Sequence, residues 1–162
     1  MALSKIDAAN FLTGTIPSGN IATSSLAAAA TGKVLQVVQA EMNSNISTTA
    51  NSYVDTGLNA NITPSSTSNK ILIMVTHPYV RKTGDNVVNL RLVRESTSIY
   101  ENIGNYDTAD SQQITDTVSF SYLDSPNSSS QINYKTQYKS SSGFINNSTD
   151  YPSKIILMEI AG

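Results

Sequence analysis

Apolar and polar residues alternate along much of the chain after residue 33, in short runs that turn signals interrupt. The runs over 86–95, 114–124 and 131–139 alternate with a period of two, which is typical of strands with one buried face. Each run therefore predicts a set of side chains that point into a core. These predicted inward positions are Val88, Leu90, Leu92, Val118, Phe120, Tyr122, Ile132, Tyr134, Thr136 and Tyr138.

The run KILIMVTHPYV over 70–80 is almost continuously apolar, which predicts a central strand buried on both faces. SNKILIM (68–74) is echoed by PSKIILM (152–158), so we expect both segments in the middle of a sheet. TGDN (83–86) predicts a hairpin between the strands on either side. The eight strands that the pattern predicts span 33–39, 58–63, 70–80, 86–95, 96–103, 114–124, 131–139 and 154–160. This spacing favours an all-β fold, an antiparallel β-sandwich of jelly-roll type.

The first 32 residues follow neither period. Within them, LTGTIPSGNIA (12–22) is broken by two glycines and a proline but keeps three large apolar residues. TSSLAAAATG (23–32) predicts a short helical turn that ends at Gly32, and so short a helix is marginal without a neighbour. We therefore divide the chain into a stem, residues 1–32, with extended and helical parts, and a β-sandwich knob, residues 33–162.

Composition supports a sheet protein with solvated strand faces. Charged residues make up only 14% of the chain, and 24 Ser, 17 Thr and 16 Asn take their place. The formal net charge of −2 gives no electrostatic reason to expect nucleic acid, and no apolar run is long enough to cross a bilayer. The absence of cysteine excludes disulfides and thiolate metal sites.

Candidates for catalysis or metal binding are few. His77 is the single histidine, and its place before Pro78 in an apolar strand indicates an interior or bulge residue. Three aspartates at 107, 110 and 116 have oxygen ligands suited to calcium, but their spacing matches no EF-hand loop and is typical of turns. We therefore expect no enzyme activity, no cofactor and no metal site.

Basic and aromatic residues are the remaining candidates for binding. Four of the ten basic residues fall on the predicted hairpin, which indicates a charged surface that protects an edge, or else a contact for phosphate or an acidic polysaccharide. They are Arg81, Lys82, Arg91 and Arg94. Exposed tyrosines suit sugars and protein partners alike, because they combine an apolar ring with a hydroxyl. Tyr100, Tyr106 and Tyr151, which fall in or beside predicted loops, are with Arg81 the candidate receptor-binding residues.

Four segments together resemble fibre proteins of tailed bacteriophages, especially of phages that infect cyanobacteria and other aquatic bacteria. The segments are LTGTIPSGNIA (12–22), GKVLQVVQ (32–39), DTGLNANITPSSTSNKILIMV (55–75) and SKIILMEIAG (153–162). The resemblance implies a homotrimer located in the virion, with an N-terminal stem inserted into other virion proteins and a β-rich knob. It carries over no catalytic or binding residue, and about thirty residues replace the much longer shaft of most fibres.

Three stems around one axis would bury the apolar residues that one stem leaves exposed. We therefore predict that Leu12, Ile16, Pro17 and Ile21 attach to the virion. The trimer neck is predicted at Leu26, Ala27, Ala29 and Ala30. The knob is expected to contact the host surface, including its glycans.

Three alternatives remain open from the sequence. The first is a trimeric capsid decoration protein, such as a head fibre, that binds no receptor. The second is a monomeric, lectin-like carbohydrate-binding domain. The third is an enzyme that degrades polysaccharide, which needs a pair of acids in a cleft.

Overall fold

The computed structural model describes residues 33–84, 86–105, 113–145 and 150–162, and these residues form an antiparallel β-sandwich. The predicted stem, with its attachment and neck residues, lies outside the described residues. The strands are β1 (Val34–Met42), β2 (Ile46–Thr48), β3 (Val54–Ile62), β4 (Lys70–Thr83), β5 (Val88–Arg94), β6 (Thr97–Asn105), β7 (Gln113–Asp124), β8 (Ile132–Lys139), β9 (Gly143–Ile145) and β10 (Ser153–Ile160).

Six strands form sheet A and four form sheet B. In sheet A, β1, β10, β4, β9 and β2 follow one another, and β7 also pairs with β4. Sheet B has the order β3-β8-β5-β6. The eight longer strands are the eight predicted ones, and their order is that of a jelly roll, which confirms the predicted fold class. The three-residue strands β2 and β9 are additions that the sequence pattern did not predict.

The inward faces predicted from alternation are confirmed. Val88, Leu90 and Leu92 are fully buried on β5, and the four predicted residues of β8 are all buried. On β7, Val118 is buried, Phe120 and Tyr122 are half-buried, and the Ser and Thr residues between them are exposed. The two echoed segments pair with each other in the middle of sheet A, as β4 and β10.

Two predictions about β4 and the turn after it are wrong. β4 is buried on its inner face only, because Leu72 and Met74 on the outer face are only half-buried. TGDN does not close a hairpin, since β4 belongs to sheet A and β5 to sheet B. The tight hairpin lies one connection later, between β5 and β6, where Glu95 takes a φ of 56°. A turn signal marks where the chain reverses but does not determine which strand becomes the partner.

The predicted cluster of four basic residues is likewise divided between the sheets. Arg81 and Lys82 lie on β4, and Arg91 and Arg94 lie on β5. Lys82 is fully buried and donates from Nζ to the carbonyl oxygen of Gly84 at 3.2 Å. These residues therefore do not form one charged hairpin surface.

A buried polar chain crosses the sandwich and separates two apolar clusters. His77 Nδ1 lies 2.8 Å from Ser153 Oγ, and His77 Nε2 lies 3.1 Å from Thr136 Oγ1. Thr136 Oγ1 in turn lies 2.6 Å from Thr56 Oγ1. Along β4 the apolar clusters continue on either side of His77, with Val75 in one and Val80 in the other. All four side chains are buried and hydrogen-bonded. These hydrogen bonds therefore link sheet A to sheet B without leaving one of these polar groups unsatisfied.

A second polar link joins the sheets on the other side of the first apolar cluster. The carboxylate of Asp124 on β7 accepts from Tyr134 Oη at 2.6 Å and from Arg94 Nη1 at 2.9 Å. Burial, followed by the hydrogen bond to Asp124, raises the pKa of Tyr134 far above its usual value. The tyrosine therefore remains a hydrogen-bond donor.

Replacing Asp124 by alanine should lower the free energy of unfolding by about 2–4 kcal/mol. The variant leaves the buried Tyr134 hydroxyl and the guanidinium of Arg94 without their shared acceptor. Urea unfolding followed by circular dichroism measures the change. Tyr134→Phe removes one hydrogen bond and is expected to cost less, so an equal loss in both variants would contradict this assignment.

Candidate functional site

The outer face of sheet A carries an apolar patch. The register aligns Val37 on β1 with Met158 on β10, Met158 with Leu72 on β4, and Leu72 with Leu123 on β7. Cross-strand partners point to the same side of a sheet, so these four side chains form one row. Val37 is 55% exposed and Leu123 is 51% exposed. We define the apolar patch as Val34, Val37, Leu72, Met74, Leu123, Ile156, Met158 and Ile160.

The outer face of sheet B is polar, unlike that of sheet A. Asn133 on β8 donates to Asn61 on β3 at 2.8 Å, and Lys135 beside it pairs with Asp55 at 2.9 Å. Partial burial raises the pKa of Asp55, but hydrogen bonds from Gln137 and Lys135 outweigh this effect and lower the pKa below its usual value. This face is therefore suited to contact with water, whereas the apolar patch of sheet A is not. Contiguous exposed apolar surface of this kind marks interaction sites.

Sheet A contains a seam where β4 exchanges one partner for another. β10 pairs with β4 from Lys70 to Thr76, and β9 pairs with it from Val80 to Lys82. Between these two stretches, the pairing of β4 with β7 shifts register after His77. Tyr79 lies in this bulge with a φ of 55°, which is unfavourable for a bulky residue and costs about 1–3 kcal/mol.

Two exposed tyrosines meet at the seam. The ring centroids of Tyr79 and Tyr151 lie 5.1 Å apart with an interplanar angle of 71°, an edge-to-face arrangement. Tyr79 is 41% exposed and Tyr151 is 54% exposed. The two rings therefore form an open corner on the surface.

Buried hydrogen bonds hold the backbone behind this tyrosine pair. His77 precedes Tyr79 by two residues, Ser153 follows Tyr151 by two, and their side chains bond at 2.8 Å. Burial lowers the pKa of His77 from 6.5 to about 3. The histidine is therefore neutral at physiological pH. It is fully buried with a hydrogen-bond partner at each ring nitrogen, which confirms the prediction of an interior or bulge residue.

The side chains around the pair are polar. On the outer face, Thr76 and Lys154 are cross-strand partners, and Ser119 Oγ lies 3.0 Å from Thr76 Oγ1. Lys154 also pairs with Glu41 at 3.2 Å. The outer face of sheet A thus has an apolar half near the start of β1 and a polar, aromatic half near the seam.

The structure separates the predicted receptor-binding residues. Tyr151 contacts Tyr79, whereas Tyr100 stacks on Tyr122 at 5.5 Å and meets Phe120 at 5.9 Å. Arg81 is half-buried on β4, and Tyr106 lies outside the described residues. Sequence reasoning missed Tyr79, although Pro78 inside a strand pattern is a signal for a bulge at this position.

The acidic candidates provide no described metal centre. Asp107 and Asp110 lie outside the described residues, and the Asp116 carboxylate accepts a hydrogen bond from the backbone N–H of Thr117 at 2.7 Å. Across the described ranges, no group of three or more His, Cys, Asp or Glu residues could hold a metal ion.

A shallow cavity of about 320 Å³ opens between the start of β5 and the end of β8. Asn51, Asn86 and Asn89 line it with amide groups, and Lys139 adds an ammonium group. The described lining contains neither a carboxylate nor a histidine, so it offers polar contacts without an acid–base pair.

The fold and these surfaces define a jelly-roll domain with one apolar outer sheet face and an aromatic corner. The chain matches no protein-family model and no curated protein. Within the described part of the chain, no helix is long and apolar enough to span a membrane.

Proposed function

We propose that this protein is a structural component of a tailed-bacteriophage virion: a short homotrimeric fibre that is not an enzyme. Its N-terminal stem anchors in the virion, and its knob contacts the host surface. The observation that carries the proposal is the apolar patch on the outer face of sheet A. The four segments that resemble phage fibre proteins support the virion setting, and jelly rolls occur in viral and lectin domains.

Copies of the same chain are the partner that best fits the apolar patch. The patch extends to Val34, the first residue of β1, and the chain enters this strand directly from the stem. If three stems associate around an axis, they hold three knobs at high local concentration close to the point where the patch begins. Burying the patch among three equivalent copies then removes from water a surface that no other described element covers.

A monomeric, lectin-like domain is the second candidate. The observation that favours it is the exposed Tyr79–Tyr151 corner, because aromatic rings beside hydroxyl groups suit sugar binding. This candidate needs no trimer, so the solution mass distinguishes it from the fibre.

Light scattering on the full chain is expected to give the mass of three 17.3 kDa chains. A chain that starts at Gly32 should also trimerise, but at a higher concentration, because it keeps the apolar patch and loses the contribution of the stem. A monomer in both cases would exclude the fibre and favour the lectin-like domain.

The virion setting has its own test. Gold-labelled antibodies against the knob should decorate phage particles from a culture that carries the gene, and the label will show whether the protein is on the tail or the head. Deleting residues 1–32 should abolish this labelling. Labelling that survives the deletion would contradict the proposed anchor.

A further inference from the structure

We propose that the Tyr79–Tyr151 corner, with Thr76, Ser119 and Lys154 beside it, is a saccharide-binding site. The proposal deepens the host-contact part of the proposed function and rests on it for its biological setting. Three features of the seam support this site: the strained backbone at Tyr79, the buried hydrogen bonds behind the two rings, and the chemistry of the rim.

The strained backbone lies at Tyr79, whose side chain contributes little to the core. Tyr79 takes a φ of 55° although the residue is 41% exposed, so burial does not account for the choice of residue. Glycine or asparagine would adopt this backbone conformation more easily. Strained backbone of this kind concentrates at functional sites, where the geometry of a side chain matters more than stability.

The site is also rigid before a ligand arrives. The bond between His77 and Ser153 fixes the two backbone segments that carry the rings, and Thr136 fixes His77 from the opposite sheet. Tyrosine has few rotatable bonds, and the edge-to-face contact restricts both rings further. Binding therefore costs little conformational entropy. This raises the affinity for a small ligand that makes few contacts.

The chemistry of the rim fits a sugar ring. A pyranose presents apolar C–H groups on its faces and hydroxyl groups around its edge. An exposed tyrosine ring can cover one face, and its hydroxyl can bond to the edge. Thr76 precedes Tyr79 by three residues and Lys154 follows Tyr151 by three, so both lie within about 10 Å of the corner. Thr76 and Ser119 contribute two hydroxyl groups that bond to each other, and Lys154 contributes an ammonium group that pairs with Glu41.

The corner lies at the end of β1 and β10 where Met42 pairs with Ser153, opposite the end where Val34 pairs with Ile160. From Val34 to Met42, β1 runs about 25 Å along its axis. A trimer would carry three such corners, and simultaneous binding to a repetitive surface polysaccharide would strengthen weak single sites.

The test begins with the full chain on a printed array of hexoses, N-acetylhexosamines, uronic acids and their short oligomers. The strongest binder is then titrated by NMR against the full chain and three variants. Tyr79→Asn removes the ring and accepts the positive φ, so it should weaken binding about tenfold or more while unfolding no more easily than the wild type. Tyr151→Ala should weaken binding similarly. Asn61→Ala, at an exposed residue on the outer face of sheet B, should leave binding unchanged.

Two results would overturn the proposal: the absence of binding to every arrayed saccharide, or binding that both seam variants leave intact. The solution mass of the same samples keeps this outcome separate from the proposed function. A trimer without saccharide binding rejects only the site, whereas a monomer that binds saccharide rejects the fibre and retains the site.

Discussion

A full chain that carries Leu72→Lys together with Met158→Glu is expected to dissociate into single chains at concentrations at which the proposed wild-type trimer persists. The two positions are cross-strand partners in the middle of the apolar patch. Their new charges attract each other and can reach water in a single chain, so the fold should survive. In a trimer the same charges must lose water at the interface. We expect the dissociation concentration to rise by about a hundredfold or more.

The matched control places the same two charges on the outer face of sheet B. Asn61 and Asn133 are also cross-strand partners, on a face that is already polar. Asn61→Lys together with Asn133→Glu should therefore leave the dissociation concentration unchanged. Sedimentation velocity over a dilution series measures both variants. If the two double variants dissociate alike, or neither differs from the wild type, the apolar patch is not the interface.

The stability of the knob is expected to fall by about 2 kcal/mol between pH 6.5 and pH 4.5 because of one buried histidine. Burial holds the pKa of folded His77 at about 3, whereas the unfolded chain binds this proton near pH 6.5. Below pH 6.5 the unfolded state therefore binds more protons than the folded state, and stability falls with each further unit of acidification. The contribution is fully present above pH 6.5.

Urea unfolding at a series of pH values and one fixed chain concentration measures this slope. His77→Gln should be less stable throughout but nearly independent of pH in the same window, and an equal slope in both chains would contradict the assignment.

A second group, the carboxyl of Glu159, affects the stability only at lower pH. Although its burial works in the opposite direction, hydrogen bonds from Asn69, Ser65 and Gln36 lower its pKa from 4.5 to about 2. Its stabilising contribution is lost as the pH falls from 4.5 to 2.

Local patterns in the sequence were enough to predict the sandwich. Alternation along β5 and β8 placed every predicted inward side chain correctly, because a period of two leaves only one face for the core. The same reasoning was wrong at TGDN, since the choice between a hairpin and a crossing to the other sheet depends on distant strands. β2 and β9 are too short to show any period.

The candidate surfaces were less predictable because they also depend on pairing between distant strands. The side chains of the apolar patch come from four strands, and only the register shows that Val37, Met158, Leu72 and Leu123 form one row. Leu72 belonged to a run predicted to be buried on both faces, and that prediction concealed the patch. The seam is also non-local. Pro78 indicated a bulge, but the pairing of Tyr79 with Tyr151 follows from the exchange of β10 for β9 along β4.

The pairing of β1 with β10 has a consequence for synthesis on the ribosome. Val34 pairs with Ile160, so the first described strand waits for nearly the whole knob to be translated before it finds its partner. At about 5–20 residues per second, the delay is on the order of ten seconds. During that time β1 lacks the strand beside which its two residues of the apolar patch, Val34 and Val37, are aligned. A chain broken off before β10 lacks Ile156, Met158 and Ile160 and therefore the centre of the apolar patch.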